Sequence, residues 1–208
     1  MNIVYCGQFR DSAGYGVAAR GYLKSLDAYI SKNSSDLSLR IYSSIIKQSD
    51  KLTEEELSLI TKYEFLDNED IKKTMSQDYT LVWHMPPPLI TFADDRFQPS
   101  PNCGPSLLEL IKNAKYNVNL TAWEVDSLPP EWIIDYNYFK PDMIITPCEW
   151  NTEVFSKNTG LLCKTVPHLI ESLSSDPAPL RLPIDLDNKF IILSISQWTK
   201  RKGFDRLL

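Results

Sequence analysis

The sequence predicts an α/β fold, a doubly wound sheet of parallel strands with helices on both faces. Three observations predict it. Ile3 to Cys6 is a continuous apolar run with β-branched members, the composition of a strand covered on both faces. Short runs of this kind alternate with helical stretches along the chain, as βα units do. Gly14, His84 and Glu124 each follow the end of a predicted strand, so they converge on the carboxyl rim, where such sheets bind ligands.

Taken in order, the first strand leads through a loop carrying Gly14, Tyr15 and Gly16 into a helix. Its Ala19, Leu23, Leu26 and Ile30 form one apolar stripe. Amides at a helix start lack partners within the helix, and glycine lets an anion approach them. Two roles are open for these glycines: holding a phosphate, or making a tight strand-to-helix turn. Ser31 to Asp36 is a loop, and Leu37, Leu39 and Ile41 alternate as a second strand. Thr53 and Glu56 have capping-box spacing, flanked by Leu52 and Leu57 as a staple, which starts a helix at Glu54. Asp67 to Gln77 is highly charged and takes no assignment from its pattern. Tyr79 to Trp83 is a strand ending in His84, and the prolines after Met85 stop it. Ser106 to Ala114 reads as a helix. Val118, Leu120 and Ala122 alternate as a strand that runs into Trp123, Glu124, Val125 and Asp126. Pro129 and Pro130 open a helix with Trp132, Ile133 and Tyr136 on its apolar face. Met143 to Thr146 is a buried strand, and Glu149 to Asn158 is a helix closed by Gly160.

The 208 residues suffice for one large domain or one and a half, and a hydrophobic content of 43% suits a globular chain. A formal charge of −5 gives no general affinity for nucleic acid. The longest apolar runs, such as Phe190 to Ile195, fall far below the roughly 20 residues that cross a bilayer. No secretory leader opens the chain, which predicts a cytoplasmic protein and leaves peripheral membrane contact open. Cys6, Cys103, Cys148 and Cys163 have no paired C-x-x-C spacing, so they signal neither a zinc site nor a disulfide framework and are expected to be small buried residues. Asn33 to Ser35 and Asn119 to Thr121 match the glycosylation sequon by chance. Tyr15, Tyr22 and Trp150 are expected to be exposed, facing acceptor, lipid or a partner subunit.

From Glu171 to Asp187 serines and prolines interrupt any periodicity, as in a linker. The expected organisation is a domain over 1–170, a linker over 171–187, and the first strand and helix start of a second domain over 188–208. Phe190 to Ile195 is that strand, Ser196 to Arg201 a loop, and Gly203 to Leu208 the opening of a helix. Such a piece cannot bury itself. It either completes the first sheet or begins a domain that continues beyond Leu208, and the second is the expectation.

Several stretches resemble one family. Ile192 to Ile195 followed by Trp198, Arg201, Lys202, Gly203, Phe204, Asp205 and Leu208 resemble the strand, basic loop and helix that open its donor-binding domain. Thr146, Pro147, Glu149, Trp150, Phe155 and Gly160 resemble its last amino-terminal strand and helix, and Val166, Pro167 and His168 the strand end before its interdomain linker. Trp123, Glu124, Leu128, Pro129, Pro130 and Trp132, with the Ser12 to Gly16 loop, complete the resemblance. The family is the retaining glycosyltransferases of family 4, of the two-domain GT-B fold, whose amino-terminal half is Rossmann-like. The resemblance implies transfer of a sugar from a nucleotide-sugar donor to a carbohydrate or glycoconjugate acceptor, with retained configuration, no metal and no separate cofactor. It implies that Gly14, Gly16, Lys202 and Arg201 approach the donor diphosphate. His84 would lie beside the transferred sugar as the catalytic candidate, and Tyr15, Trp123 and Glu124 would face the acceptor. Preorganised amides and a lysine stabilise a leaving diphosphate more than the ground state.

The sequence departs from the family at Gln197, where an arginine usually partners the lysine, and at Leu169, more often glycine. The family's paired glutamates belong to a region absent from these residues, so the donor is not legible. Gly14, Gly16 and Ala19 also satisfy a dinucleotide-binding fingerprint, which makes an NAD(P)-dependent oxidoreductase the rival. Against it, Gln8 to Ala13 separate the first glycine from the strand, and the second strand ends in Tyr42, Ser43 and Ser44 without a ribose-binding carboxylate. A binding module without turnover is the third reading. His84 as a loop histidine, Trp123 and Trp132 as packing residues, Glu124 as a helix cap and Lys200 to Lys202 as a solvated turn are the plain alternatives.

Overall fold

The computed structural model describes residues 1–33, 36–43, 51–87 and 106–169. The chain divides into two compact units, Met1–Ile170 and Glu171–Leu208, and all described residues belong to the first. The expected strand over 190–195, Gln197, Arg201, Lys202, Cys103 and the charged group Asp94 to Arg96 lie outside the described residues.

Strands β1 (Asn2–Gly7), β2 (Ser38–Ser43), β3 (Tyr79–His84), β4 (Tyr116–Leu120), β5 (Met143–Thr146) and β6 (Cys163–Thr165) form one parallel sheet in the order β2-β1-β3-β4-β5-β6. Helices α1 (Gly14–Asn33), α2 (Glu54–Tyr63), α3 (Asn68–Met75), α4 (Leu107–Asn113), α5 (Pro130–Phe139) and α6 (Glu149–Thr159) connect them. The molecule has the Rossmann-like doubly wound α/β fold.

Alternation along β1 explains why both faces are covered. Tyr5 turns toward α1 and α2, where it joins Phe9, Ala19, Leu23, Leu39, Ile41, Ile60 and Tyr63 in one buried cluster. Val4 and Cys6 turn the other way. They join Leu81, Trp83, Ile71, Leu110, Trp132, Tyr136 and Phe155 in a second cluster built by α3 to α6. Each large apolar side chain removed from water in these layers contributes roughly 1.5–3 kcal/mol, which holds the helices to the sheet.

The local signals act as their chemistry requires. Thr53 and Glu56 form the expected capping box at the start of α2, and Ser106 with Glu109 forms a second one at α4. Gly160 closes α6 at φ 69°, the left-handed conformation that glycine adopts without a Cβ penalty. The charged stretch without a sequence assignment is α3, capped by Asp67, whose carboxylate accepts from the amides of Glu69 and Asp70. The strand expected to reach Ala122 ends at Leu120. Among the cysteines, Cys6 is buried as expected, but Cys148 is exposed because it sits at the amino-terminal end of α6 on the rim. Asn119 is fully buried and hydrogen-bonded, so its sequon offers no acceptor in the folded chain.

Candidate functional site

The register of the strands places the site. Gly7, the last residue of β1, pairs with Ser43 of β2 on one side and His84 of β3 on the other. His84 in turn pairs with Leu120 of β4. From β1 the chain runs outward to β2 and then returns past β1 to β3. The winding therefore reverses between β1 and β3, and the crevice beyond their carboxyl ends is where an open α/β sheet accepts a ligand.

His84 is 2% exposed and enclosed by aromatic rings. Its Nδ1 lies 2.8 Å from the hydroxyl of Tyr5, and the two rings are stacked at 6.0 Å and 17°. Tyr15 and Tyr22 approach it edge-on at 5.4 and 5.7 Å. The backbone on either side is fixed by one side chain: Asn119 Nδ2 donates to the carbonyls of Trp83 and Met85, at 3.0 and 3.1 Å. Tyr136 donates to Asn119 Oδ1 at 2.6 Å and so holds the amide in place. Burial, and secondarily the neighbouring His168, pushes the His84 imidazole down to about 3. Burial also lowers His168, raises Tyr22 to about 12 and keeps Tyr5 well above the usual phenol range. At neutral pH the lining is uncharged and rich in hydrogen-bonding groups.

The two glycines of the loop have different surroundings. Gly16 is buried, and a Cβ there would fall inside the envelope of the Asp11 carbonyl oxygen and 2.8 Å from that of Gln8. That close approach accounts for the absence of a side chain without a ligand. Gly14 is exposed, with nothing within 4 Å of an added Cβ, so it is the glycine that leaves the α1 terminus open to approach. The loop itself is folded around Arg20. This buried guanidinium donates from Nη1 to the carbonyls of Phe9 and Asp11, at 2.9 and 2.6 Å, and from Nε to Glu56 at 2.7 Å. Glu56 is also the capping-box residue of α2, so the terminus of α2 and the loop before α1 share one network.

Tyr15 ties the start of α1 to the end of β4. Its hydroxyl is 3.2 Å from Thr121 Oγ1 and donates to the Ala122 carbonyl at 3.3 Å, and the Ala122 amide also contacts it. Tyr15 is therefore half-buried and engaged, with Gly14 beside it and His84 against its ring. The residues after β6 return to the same region. Tyr22 donates to the Val166 carbonyl at 2.7 Å, its ring lies 5.7 Å from that of His168, and Leu169 packs on Gly21. Trp123 serves structure: its Nε1 donates to Ser127, its ring meets Trp132 at 4.4 Å, and its backbone pairs with the Asn151 amide. Glu124, next to it, is exposed, as is Trp150.

The site thus brings Tyr15, beside Gly14, against His84, with Tyr5, Asn119, Thr121 and His168 as members that sequence reasoning missed. Tyr22, expected to be exposed, is half-buried with its ring against His84. A polar Asn119 inside the strand of Val118 and Leu120 was the one legible sign. Tyr5 read as an ordinary core residue. Among the described residues, no group of three or more His, Cys, Asp or Glu side chains could hold a metal ion, and no helix is long and apolar enough to cross a membrane. Chemically the arrangement offers hydrogen bonds and aromatic faces to a ligand, because a histidine titrating near 3 does not exchange protons at neutral pH. Comparison with known proteins finds no matching family model, no matching curated protein and no matching solved structure.

Proposed function

We propose that this chain is the acceptor-side part of a retaining glycosyltransferase that uses a nucleotide-sugar donor. The observation that carries the reading is the packing of Tyr15, the residue after Gly14, against His84 at the reversal between β1 and β3. The neutral, aromatic, hydrogen-bonding lining supports it, since a sugar offers hydroxyls to donors and C–H faces to rings. In the transfer, the bond between the anomeric carbon and the diphosphate oxygen breaks, and a bond from that carbon to the acceptor oxygen forms on the same face. The acceptor proton passes to the departing diphosphate. The open α1 terminus at Gly14 would stabilise the growing negative charge. His84 would touch the sugar as a neutral group, and Glu124 would face the acceptor.

Nuclear magnetic resonance of the 208-residue chain with a panel of nucleotide sugars and simple glycosides tests the reading. The expected result is weak, saturable shifts at Gly14, Tyr15 and His84. Absence of any such shift, together with tight binding of a nicotinamide dinucleotide, would overturn it.

A further inference from the structure

We propose that Tyr5 is a positioning residue that holds His84 in the tautomer with its proton on Nε2, so that the imidazole meets the ligand as a hydrogen-bond donor. The inference rests on the reading that this rim binds a sugar, and it assigns chemistry to each nitrogen.

The hydroxyl of Tyr5 and Nδ1 of His84 are 2.8 Å apart, and one of them must donate. Tyr5 is 2% exposed, and among the described residues its hydroxyl has no second hydrogen-bond partner. If Nδ1 carried the proton, the phenol hydrogen would be left buried without an acceptor, which disfavours that tautomer by about tenfold or more. If Tyr5 donates, both groups are satisfied, and the imidazole proton resides on Nε2. Ionisation offers no escape. Burial keeps the phenol protonated and the imidazole neutral. Among the described residues, the titratable groups around the ring, Tyr5 on β1, Tyr15 and Tyr22 on α1, and His168 beyond β6, include no carboxylate to draw the proton to Nδ1.

Geometry fixes the ring as well as its proton. Asn119 holds the carbonyls on both sides of His84, and the hydrogen bond with Tyr5 fixes the direction in which Nδ1 points. Nε2 is then the nitrogen left for a ligand. A neutral N–H donates to an oxygen, such as a sugar hydroxyl, and takes up no proton, so His84 acts here by binding and orienting.

Long-range proton–nitrogen spectra of the 15N-histidine-labelled chain decide the matter. The chain has two histidines, and a His168→Gln variant assigns them. The expected wild-type signature for His84 at pH 7 is a protonated Nε2 beside an unprotonated, hydrogen-bonded Nδ1. In Tyr5→Phe, Nδ1 should lose the hydrogen-bond shift, and sugar binding at the rim should weaken about tenfold. A wild-type proton on Nδ1, or a His84 spectrum unchanged in Tyr5→Phe, overturns the proposal; the wild-type spectrum suffices if the variant does not fold. The expected spectra with no sugar binding by wild type would instead count against the functional reading and leave the tautomer assignment standing.

Discussion

Gly14 and Gly16 stand two positions apart and answer to different neighbours, which makes them a matched pair for experiment. Gly16→Ala drives a methyl into the carbonyls of Asp11 and Gln8. Arg20 holds the Asp11 oxygen and the Asp11 amide holds that of Gln8, so neither steps aside freely and a loss of about 1–3 kcal/mol or more is expected in urea denaturation. Gly14→Ala meets open space at a helix start, so stability should change by no more than about 0.5–1 kcal/mol, in the stabilising direction. Its effect should fall on ligand affinity instead. Equal destabilisation by both substitutions would refute the division. His84 carries the second residue-scale prediction: in the functional enzyme His84→Ala should lower turnover more than it weakens acceptor binding, and unchanged kinetics at equal stability would remove His84 from the site. The sequence left Gly16 open between holding a phosphate and making a tight turn, because it displays the missing side chain but not the carbonyl that requires it.

At the scale of elements, caps and clasps decide what is firm. Thr53→Ala and Ser106→Ala each remove one half of a capping box and should cost about 1 kcal/mol, read from the thermal midpoint. The helix at Glu54 was legible in the sequence from its capping residues, whereas α3 was not, since its charges mask a single buried Ile71. The clasp between α1 and the residues after β6 was also invisible, because Tyr22 and Val166 are 144 positions apart. Tyr22→Phe deletes that hydrogen bond while keeping the ring. Amide exchange should then accelerate at Val166, whose amide donates to Thr146, and should stay unchanged in β1 and β3. Uniform acceleration through the sheet would mean that Tyr22 stabilises the whole domain and not this clasp.

For the whole molecule, a buried neutral histidine makes stability depend on pH. The unfolded imidazole binds a proton near pH 6.5, whereas the folded one does so only at about 3. Between these values the unfolded state holds more protons, so stability is full above pH 6.5 and falls as the pH drops toward 3. The span corresponds to roughly 5 kcal/mol. His168, lowered in the same direction, adds to the slope. Lowered carboxylates such as Asp27, held by Lys62 and Tyr63, add only below about pH 4, so the loss between pH 6.5 and 5 reports the histidines. His84→Gln should flatten most of that slope; an undiminished slope would contradict the burial of His84. Ligand binding is the second property at this scale. Helix-end electrostatics supply about 0.3–2 kcal/mol, whereas micromolar affinity needs about 8 kcal/mol. Calorimetry should therefore find these 208 residues binding nucleotide sugars more weakly than micromolar, and tight binding would show that more than the open α1 terminus holds the donor.

The sequence by itself determined the alternation of strands and helices, the caps at Thr53 and Gly160, and the convergence of Gly14 and His84 on one rim. These follow from near neighbours: the period of apolar residues, the oxygen three positions before a helical amide, and the place of a residue at a strand end. The tertiary structure alone decided that Gly16 is packed and Gly14 open, that Asn119 grips the backbone around His84, and that Tyr5 and Tyr22 enclose the imidazole. The physical reason is the distance along the chain over which these contacts act. Burial shifts a histidine, and a carbonyl excludes a methyl, only once β1, β3, β4 and α1 have been brought together by the sheet.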